Sequence, residues 1–416
     1  MVKKVKNEVV REEALGLLQD DNFFGEFLKD VERSGLVGEE RNAILLYIAA
    51  ISALLSHPIN VIVKGLSSAG KNFLVTRVLR LIPEEATREI TSSSAQAWVY
   101  GDTAFQHKIV YLQERNDSAG AIHPVRLLIS EGRLVRIVTA REGKNFVTKR
   151  FVAEGPIASI STTTKNRLEV DDETRHVSVW VDESAQQTRR VMQGYLSREA
   201  PLFDHEISVW HEVHRLIAER ASWPIMLPDW FDLVADRAYA GNVAARRYFP
   251  AFVETVRVIA LIRSFQENPE LGKKRAMISV DFSDYALAAT ILDRVFVDSL
   301  RRGFDANLET RLAVATLAKE RSGAGVGVAE LAASLNISDT QAYRRLQNAA
   351  EAGMIARSNA PAKNNSKLFL PTPRPRFVPR PEELLQEIPS LKTPVEFINP
   401  FTGEQVTLGP AKEKRA

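Results

Sequence analysis

The chain has 416 residues, of which 45% are hydrophobic and 26% are charged, and its formal net charge is +3. These proportions exclude a disordered or fibrous chain and predict a globular protein of two or three domains. The chain has no cysteine, which excludes disulfides and cysteine-ligated metals and predicts a reducing compartment, the cytoplasm. The longest apolar run, residues 43–55, is shorter than the roughly 20 residues that span a bilayer, so no membrane partner is predicted.

The N-terminal segment, residues 1–42, is predicted to be helical, because Phe23, Phe27 and Val31 recur at helical spacing. An apolar helix is predicted next, and it ends at His57-Pro58. Residues 43–183 are then predicted to form the first large domain.

A Gly-rich loop follows the β-branched run Val61–Val63 and precedes a predicted helix. The loop reads Gly, four residues, Gly, Lys, which is the P-loop pattern that binds nucleotide phosphates through backbone N–H groups and the lysine. The pattern predicts a nucleotide as the ligand, and the alternative is a chance Gly-rich turn. The predicted contacts are Gly65, Ser68, Ala69, Gly70, Lys71 and Asn72. The last of these stands where Ser or Thr normally binds Mg²⁺.

The run Lys108–Glu114 places an acid after four hydrophobic residues, which is the Walker B pattern. Glu114 is predicted to orient the attacking water. The preceding residue, Gln113, replaces the usual aspartate. Asn72 and Gln113 are therefore the predicted metal ligands, and each offers a carbonyl oxygen without a charge. The alternative is an ordinary buried strand that ends in Glu.

Residues 134–152 are predicted to form a β-hairpin around the loop 140–144. This hairpin is rich in Arg and Lys, and Arg141 and Lys144 at its tip are candidate DNA contacts. A solvated surface hairpin is the alternative. A buried strand is predicted to follow and to end near Thr163. Arg175 then follows an acidic loop, a position that suits a subunit edge.

Residues 184–304 are predicted to be helical, and residues 305–370 read as helix, helix-turn-helix and hairpin, the order of a winged helix. Ser338 and Gln341 form a capping box at the start of the recognition helix. The candidate DNA contacts are Gln341, Arg344, Arg345 and Lys363. The alternative is a winged helix that contacts protein. Residues 371–416 are predicted to be a Pro/Arg-rich linker and flexible tail.

The order of these motifs, from about Ala43 to Leu370, resembles AAA+ ATPases. Within them it is most similar to the minichromosome-maintenance (MCM) replicative helicases, and especially to the MCM-like ATPases of mobile genetic elements. The resemblance implies an α/β AAA+ P-loop core with a helical lid and a C-terminal winged-helix domain. It also implies that Glu114 is the Walker B glutamate, that Arg141 to Lys144 line a pore, that Thr163 lies near sensor 1, that Arg175 is an arginine finger, and that Arg246 or Arg247 is the sensor-2 arginine, of which Arg247 is taken as the cofactor contact.

The implied function is ATP- and Mg²⁺-dependent DNA translocation or unwinding in replication, by a homo-oligomer that forms a hexameric ring and has a primase as a candidate partner. Asn72 and Gln113 depart from the family pattern and predict slow or lost hydrolysis. The alternative function is an ATP-switched DNA-binding initiator or regulator with little motor activity. A protein-remodelling machine is disfavoured, because the pore loops of such machines are typically aromatic.

Overall fold

The computed structural model describes residues 2–90, 105–115, 119–142, 145–166, 168–196, 202–267, 276–303, 306–321, 323–358, 367–372, 376–391 and 394–409. The chain forms two compact units. The first consists of Met1–Arg237, Arg247–Leu292 and Pro379–Ala416, and the second of Ala238–Arg246 and Asp293–Val378. Two predicted DNA contacts, Lys144 and Lys363, lie outside the described residues.

A five-stranded parallel sheet forms the centre of the first unit, with the strand order β2-β3-β6-β1-β7. Every residue of β1 and of β6 is buried, as expected for a parallel sheet covered on both faces. In chain order the strands of the protein are β1 (Val61–Lys64), β2 (Thr87–Ile90), β3 (Lys108–Leu112), β4 (Arg133–Glu142), β5 (Asn145–Glu154), β6 (Ile157–Thr163), β7 (Val177–Trp180), β8 (Ile225–Met226), β9 (Ile278–Ser279), β10 (Ile355–Arg357), β11 (Phe369–Pro371), β12 (Val395–Ile398) and β13 (Gln405–Leu408).

Helices surround this sheet. The helices of the first unit are Val2–Gln19, Phe23–Arg33, Glu40–Ser52, Lys71–Leu79, Ala119–Ser130, Val170–Glu173, Ala185–Gly194, Asp204–Arg220, Phe231–Arg237 and Pro381–Leu385, and two more, Ala245–Glu267 and Phe282–Gly303, include residues of both units. Helix Glu40–Ser52 packs on β6 and on helix Lys71–Leu79, which explains why its sequence is apolar on every side. No helix of the described residues is long and apolar enough to cross a membrane.

The N-terminal residues pack into the first unit through an aromatic cluster. Phe27 is fully buried, and its ring centroid lies 4.5 Å from that of Tyr47 and 5.8 Å from that of Trp210. The indole Nε1 of Trp210 donates a hydrogen bond of 2.8 Å to Asp30 Oδ2. The helical spacing of the phenylalanines therefore marks the face that meets helices Glu40–Ser52 and Asp204–Arg220.

The predicted basic hairpin is present as the antiparallel pair β4–β5, with ten facing residue pairs from Arg133 and Glu154 to Glu142 and Asn145. The described part of its surface includes exposed Arg133 and Arg150 and also the apolar Ile137, which is 66% exposed. The hairpin pairs with no strand of the central sheet in the described structure, so it is an insertion between β3 and β6.

The second unit contains three helices, Ala306–Glu320, Val328–Leu335 and Asp339–Glu351, followed by the antiparallel pair β10–β11. Its core includes Val314, Leu331, Leu346, Ile355 and Phe369. The predicted capping box is present. Ser338 Oγ accepts a hydrogen bond of 3.3 Å from Gln341 N, and Gln341 Oε1 accepts one of 3.3 Å from Ser338 N.

Residues 371–416 differ from the predicted linker and flexible tail. They include helix Pro381–Leu385 and the antiparallel pair β12–β13, both in the first unit. Leu384 and Leu408 are buried, and the Arg41 guanidinium lies 4.2 Å from the centroid of the Phe401 ring. The prolines and arginines of the stretch led to the linker prediction, whereas its few spaced apolar residues are what anchor it.

The aromatic cluster generates a stability prediction. Phe27→Ala removes a fully buried ring, and we expect it to cost about 3–5 kcal/mol of unfolding free energy through lost burial and an unfilled cavity. Met192→Ala, at a side chain that is 64% exposed, is the control and should cost less than about 0.5 kcal/mol. Equal denaturation midpoints for the two variants would show that the cluster does not hold the N-terminal helices.

Candidate ATPase site

The P-loop joins the carboxyl end of β1 to the start of helix Lys71–Leu79. Gly70 has φ +86°, a left-handed conformation that favours glycine. Gly65 also has a positive φ, +157°, and in addition a Cβ there would lie 2.5 Å from Val181 Cγ2. The two glycines of the motif therefore have different roles, one in turning the chain into the helix and one in letting the loop pass the end of β7.

A cavity of about 660 Å³ opens at this loop. Residues far apart in the sequence converge on it, since the ends of β1, β3 and β6 are neighbours in the sheet. The residues that line it are Ser67, Ser68, Gly70, Lys71, Asn72, Phe73, Glu114, Arg115, Thr163, Thr164 and Lys165. The structure thus brings together most of the predicted cofactor-binding residues and Glu114, whereas Gln113 is not among the lining residues.

Lys71 folds over its own loop. Its Nζ donates hydrogen bonds of 2.9 Å to the Gly65 carbonyl and 2.5 Å to the Leu66 carbonyl. Burial lowers the pKa of Lys71, and the charges of Glu114 and Glu183 oppose that shift. Among the described residues, the hydrogen-bond partners of the ammonium are two backbone carbonyls, and a bound phosphate would give it an anionic partner.

The carboxylate of Glu183 contacts the P-loop. Glu183, just beyond β7, accepts a hydrogen bond of 2.5 Å from the Leu66 N–H of the P-loop. Sequence reasoning missed this residue, because nothing in its neighbourhood marks an acid after β7 as a partner of the loop. Its carboxylate adds negative charge beside the site where phosphates are expected.

Thr162 connects the P-loop to Glu114. Its hydroxyl donates a hydrogen bond of 2.7 Å to Asn72 Oδ1 and accepts one of 2.9 Å from the Glu114 N–H. Its carbonyl accepts a third, of 2.9 Å, from Arg115 N. We predicted Thr163 at this strand end, and it lines the cavity, but its buried neighbour Thr162 makes the contacts to both motifs. The run of threonines at the end of a buried strand was the available signal.

Glu114 has an uncommon backbone conformation for a residue with a side chain, with φ +48°. Such a conformation costs of order 1–3 kcal/mol and persists only where the surroundings hold it. Here the holding contacts are the two hydrogen bonds from Glu114 N and Arg115 N to Thr162. The carboxylate is exposed at the cavity, where it can accept a proton from, or orient, a water molecule.

The cavity fits a nucleotide better than it fits a protein-held Mg²⁺. Asn72 Oδ1, the predicted ligand atom, accepts a hydrogen bond from the Thr162 hydroxyl. Glu114 is the only carboxylate among the described lining residues, and no described group of three His, Asp or Glu could hold a metal ion. Mg²⁺ in such sites is bound by one or two carboxylates and by substrate phosphates. Asn72 and Glu114 are thus the protein groups left to hold it, and the phosphates would supply most of its ligands.

Two acids of the segment after β6, Asp172 and Glu173, are buried and form ion pairs. Asp172 Oδ2 lies 2.7 Å from Arg115 NH2, and Arg126 donates to both oxygens of the same carboxylate. Burial alone would raise the pKa of Asp172, but Arg126 and Arg115 lower it below its ordinary value. Glu173 forms a buried ion pair with Lys64. These three basic partners, Arg115, Arg126 and Lys64, were not predicted, since charged residues in a polar loop are usually solvated.

Arg175 and Arg247 do not line the P-loop cavity. They line a second cavity of about 430 Å³ together with His57 and His176. Arg175 Nε donates a hydrogen bond of 2.9 Å to Ser130 Oγ, and its NH1 donates to the Asp171 carbonyl. The two arginines that we predicted for nucleotide hydrolysis and binding are thus neighbours of each other rather than of Lys71.

The candidate DNA contacts of the second unit lie on helix Asp339–Glu351. Gln341 and Arg344 are exposed. Arg345 is an ion-pair partner of Glu309 at 2.7 Å, so its charge is partly neutralised within the unit. Arg141 lies at the end of β4, and its side chain is not described.

Comparison with known proteins gives structural similarity alone. No protein-family model matches the chain, and no curated protein is significantly similar to it. A full-length MCM homolog from Methanopyrus kandleri is 12% identical with a TM-score of 0.43, over 71% of this chain and 62% of that one, so the chain spans less than two thirds of its length.

Two further solved structures have lower scores. The Holliday junction branch migration motor RuvB of Thermotoga maritima is 14% identical with a TM-score of 0.25, over 85% of this chain and 95% of that one. NtrX from Brucella abortus in complex with ATP is 14% identical with a TM-score of 0.25, over 76% of this chain and 69% of that one. At these identities and scores the similarity carries no information about activity.

The neutral residues at the metal positions generate a prediction. Asn72→Ser together with Gln113→Asp supplies a free hydroxyl and a charge, and we expect Mg²⁺-dependent ATP turnover to rise about tenfold or more. Steady-state ATPase assays over a Mg²⁺ titration measure the change, and adding Lys71→Ala to the double variant should abolish the gain. A double variant slower than a brisk wild type would contradict the description of the metal site as weakened.

Proposed function

We propose that this chain is an AAA+ ATPase that hydrolyses ATP at the interface between subunits and uses the energy to translocate along or unwind DNA. The observation that carries the proposal is the separation of the two cavities. Glu114 and Lys71 line one, and Arg175 and Arg247 line the other. A complete site therefore needs the first cavity of one subunit and the second cavity of its neighbour.

The chemistry supports that assignment. In phosphoryl transfer, charge develops on the oxygens of the transferred group, and an arginine supplied by a neighbour can stabilise it. Arg175 is 19% exposed at the side chain and is held by Ser130 and Asp171, so its position is fixed near the surface. Repeated head-to-tail contact between identical subunits gives a ring when the rotation between neighbours closes, and an open filament when it does not. We propose a hexamer on the basis of the family resemblance.

We propose that the ATPase moves along DNA. The β4–β5 hairpin has exposed Arg133 and Arg150, which suit a phosphate backbone. We propose that the three helices and β10–β11 of the second unit form a winged helix, with Arg344 on its recognition helix. Residues 184–304 would act as the helical lid. A role in replication of a mobile element, with a primase as partner, rests on the resemblance alone.

A second function is favoured by one specific contact. Asn72 Oδ1 accepts a hydrogen bond from the Thr162 hydroxyl, and Gln113 does not line the cavity. The site therefore lacks the aspartate that usually precedes the Walker B glutamate. A protein with such a site could bind ATP and hydrolyse it very slowly. Nucleotide would then control assembly of a DNA-binding initiator or regulator, and the hairpin would bind DNA without moving along it.

Mixing two inactive variants tests the ring. Glu114→Gln and Arg175→Ala should each lose about 10³-fold or more in ATP turnover and should each keep ATP binding, because neither residue belongs to the P-loop that binds the phosphates. In an equal mixture, about a quarter of the interfaces of a ring would combine intact Glu114 with intact Arg175, and that share of activity should return. Coupled-enzyme ATPase assays on the mixture measure it.

Two controls make the mixing result decisive. Lys71→Ala mixed with Glu114→Gln should show no recovery, since both changes disable the same cavity. Mass measurement with ATP and DNA reports the oligomer. No recovery from the first pair, together with a monomeric mass, would contradict the ring motor and favour the ATP-switched initiator or regulator.

The DNA proposal gives a separate prediction. Arg344→Ala should weaken binding of the full chain to duplex DNA and should reduce the slope of log affinity against log salt by about 1, because one phosphate contact is lost. Arg80→Ala, another exposed arginine, is the control and should leave both quantities unchanged. Fluorescence anisotropy over a salt titration measures them, and identical curves for the two variants would point to a protein-contact role for the second unit.

A further inference from the structure

The segment from Glu169 to Arg175 touches both halves of the proposed catalytic machinery. We propose that Asp172 and Glu173 are positioning residues that hold Glu114, which acts on the subunit's own nucleotide, and Arg175, which acts on its neighbour's, in one fixed arrangement. The inference rests on the proposed function. It adds that two successive ATP sites of the ring are coupled through buried ion pairs inside a single subunit.

The first contact runs from Asp172 toward Glu114. Arg115 directly follows Glu114, and its guanidinium lies 2.7 Å from Asp172 Oδ2, with side chains that are 5% and 3% exposed. The backbone N–H of Arg115 is bound to the Thr162 carbonyl. The left-handed backbone of Glu114 is therefore held on one side by Thr162 and on the other by the Arg115–Asp172 pair.

The second contact runs from Glu173 to the P-loop strand. Lys64 is the last residue of β1, is fully buried, and forms an ion pair with Glu173 Oε1. The same carboxylate accepts hydrogen bonds of 2.7 Å from Ser178 Oγ and 3.0 Å from Leu168 N. Since Lys64 directly precedes Gly65, a movement of the P-loop strand is transmitted to the acidic segment.

The third contact runs from Asp172 to Arg175. The Asp172 carbonyl accepts a hydrogen bond of 3.1 Å from Arg175 N and one of 2.9 Å from His176 Nδ1. The side chain of Asp172 therefore binds the residue after Glu114, while its main chain binds the backbone of Arg175. A displacement of Asp172 would move both groups together.

Burial makes the ion pairs of Asp172 and Glu173 hard to separate. A charge that loses its partner in the interior is left without solvent, so these pairs resist separation more than surface pairs do. Glu169 differs from its neighbours in this respect. Its side chain is 82% exposed and lies 3.1 Å from Arg126, so solvent screens its charge. It is an acid of the same segment that lies outside the proposed connection.

Pairwise mixing of variants tests the proposal. Asp172→Asn should retain ATP affinity, measured by calorimetry, and should lose at least about tenfold in turnover, because a neutral amide cannot replace the buried carboxylate. Its mixtures distinguish the two roles. If Asp172 positions both groups, Asp172→Asn restores activity neither with Glu114→Gln nor with Arg175→Ala, although those two restore each other.

The other outcomes overturn the proposal. Recovery with Glu114→Gln would show that Asp172 acts on Arg175 alone, and recovery with Arg175→Ala would show that it acts on Glu114 alone. Glu169→Gln should keep wild-type turnover, and loss of activity in that control would indicate a general effect of charge in the segment. Failure of Glu114→Gln and Arg175→Ala to restore each other would instead overturn the ring itself, which keeps the two failures distinct.

Arg115 supplies a second set of variants in case Asp172→Asn does not fold, because Asp172 keeps Arg126 as a partner when Arg115 is changed. Arg115→Gln should fail to restore either partner variant. Arg115→Lys keeps the charge and should restore activity with both. Equal behaviour of the Gln and Lys variants would show that the ion pair does not position Glu114 or Arg175.

Discussion

The buried pair of Lys64 and Glu173 is the interaction on which the geometry of the ATPase site depends. Lys64 ends β1 between β6 and β7, in the interior of a parallel sheet where a lone ammonium would be strongly destabilising. Its need for a carboxylate fixes the path of the acidic segment across the end of the sheet. That path in turn places Asp172 beside Arg115. It also places Arg175 at the second cavity.

Local patterns predicted much of this fold. Several elements depend only on residues close in sequence, so spacing and residue type could predict them. They are the P-loop, the strand β3 that leads to Glu114, the β4–β5 hairpin and the Ser338 capping box. The convergence of Glu114 and Thr163 on the P-loop cavity followed from the family order and is present. The winged-helix and lid roles of the helical regions stay predictions.

The remaining features depend on partners that are distant in sequence. Nothing local distinguishes buried Asp172 from exposed Asp171, because only the fold brings Arg115 and Arg126 to the former. The helix and hairpin of the C-terminal residues were missed for the same reason, since their anchors are few and their composition is polar. Arg247 was placed with the cofactor by the family resemblance, whereas in the structure it lies in the first turn of helix Ala245–Glu267 and lines the second cavity with Arg175.

The position of β6 between β1 and β3 gives the site a fixed width. Neighbouring strands are about 4.8 Å apart, so the strand that ends in Lys64 and the strand that leads to Glu114 are separated by about 10 Å, with Thr162 midway. This interval is set by backbone hydrogen bonds, which side-chain substitution does not alter. The sheet therefore fixes the distance between the P-loop that carries Lys71 and the strand end that carries Glu114. Substitution of Asn72 or Thr162 would change the hydrogen-bonding groups between them without changing that distance.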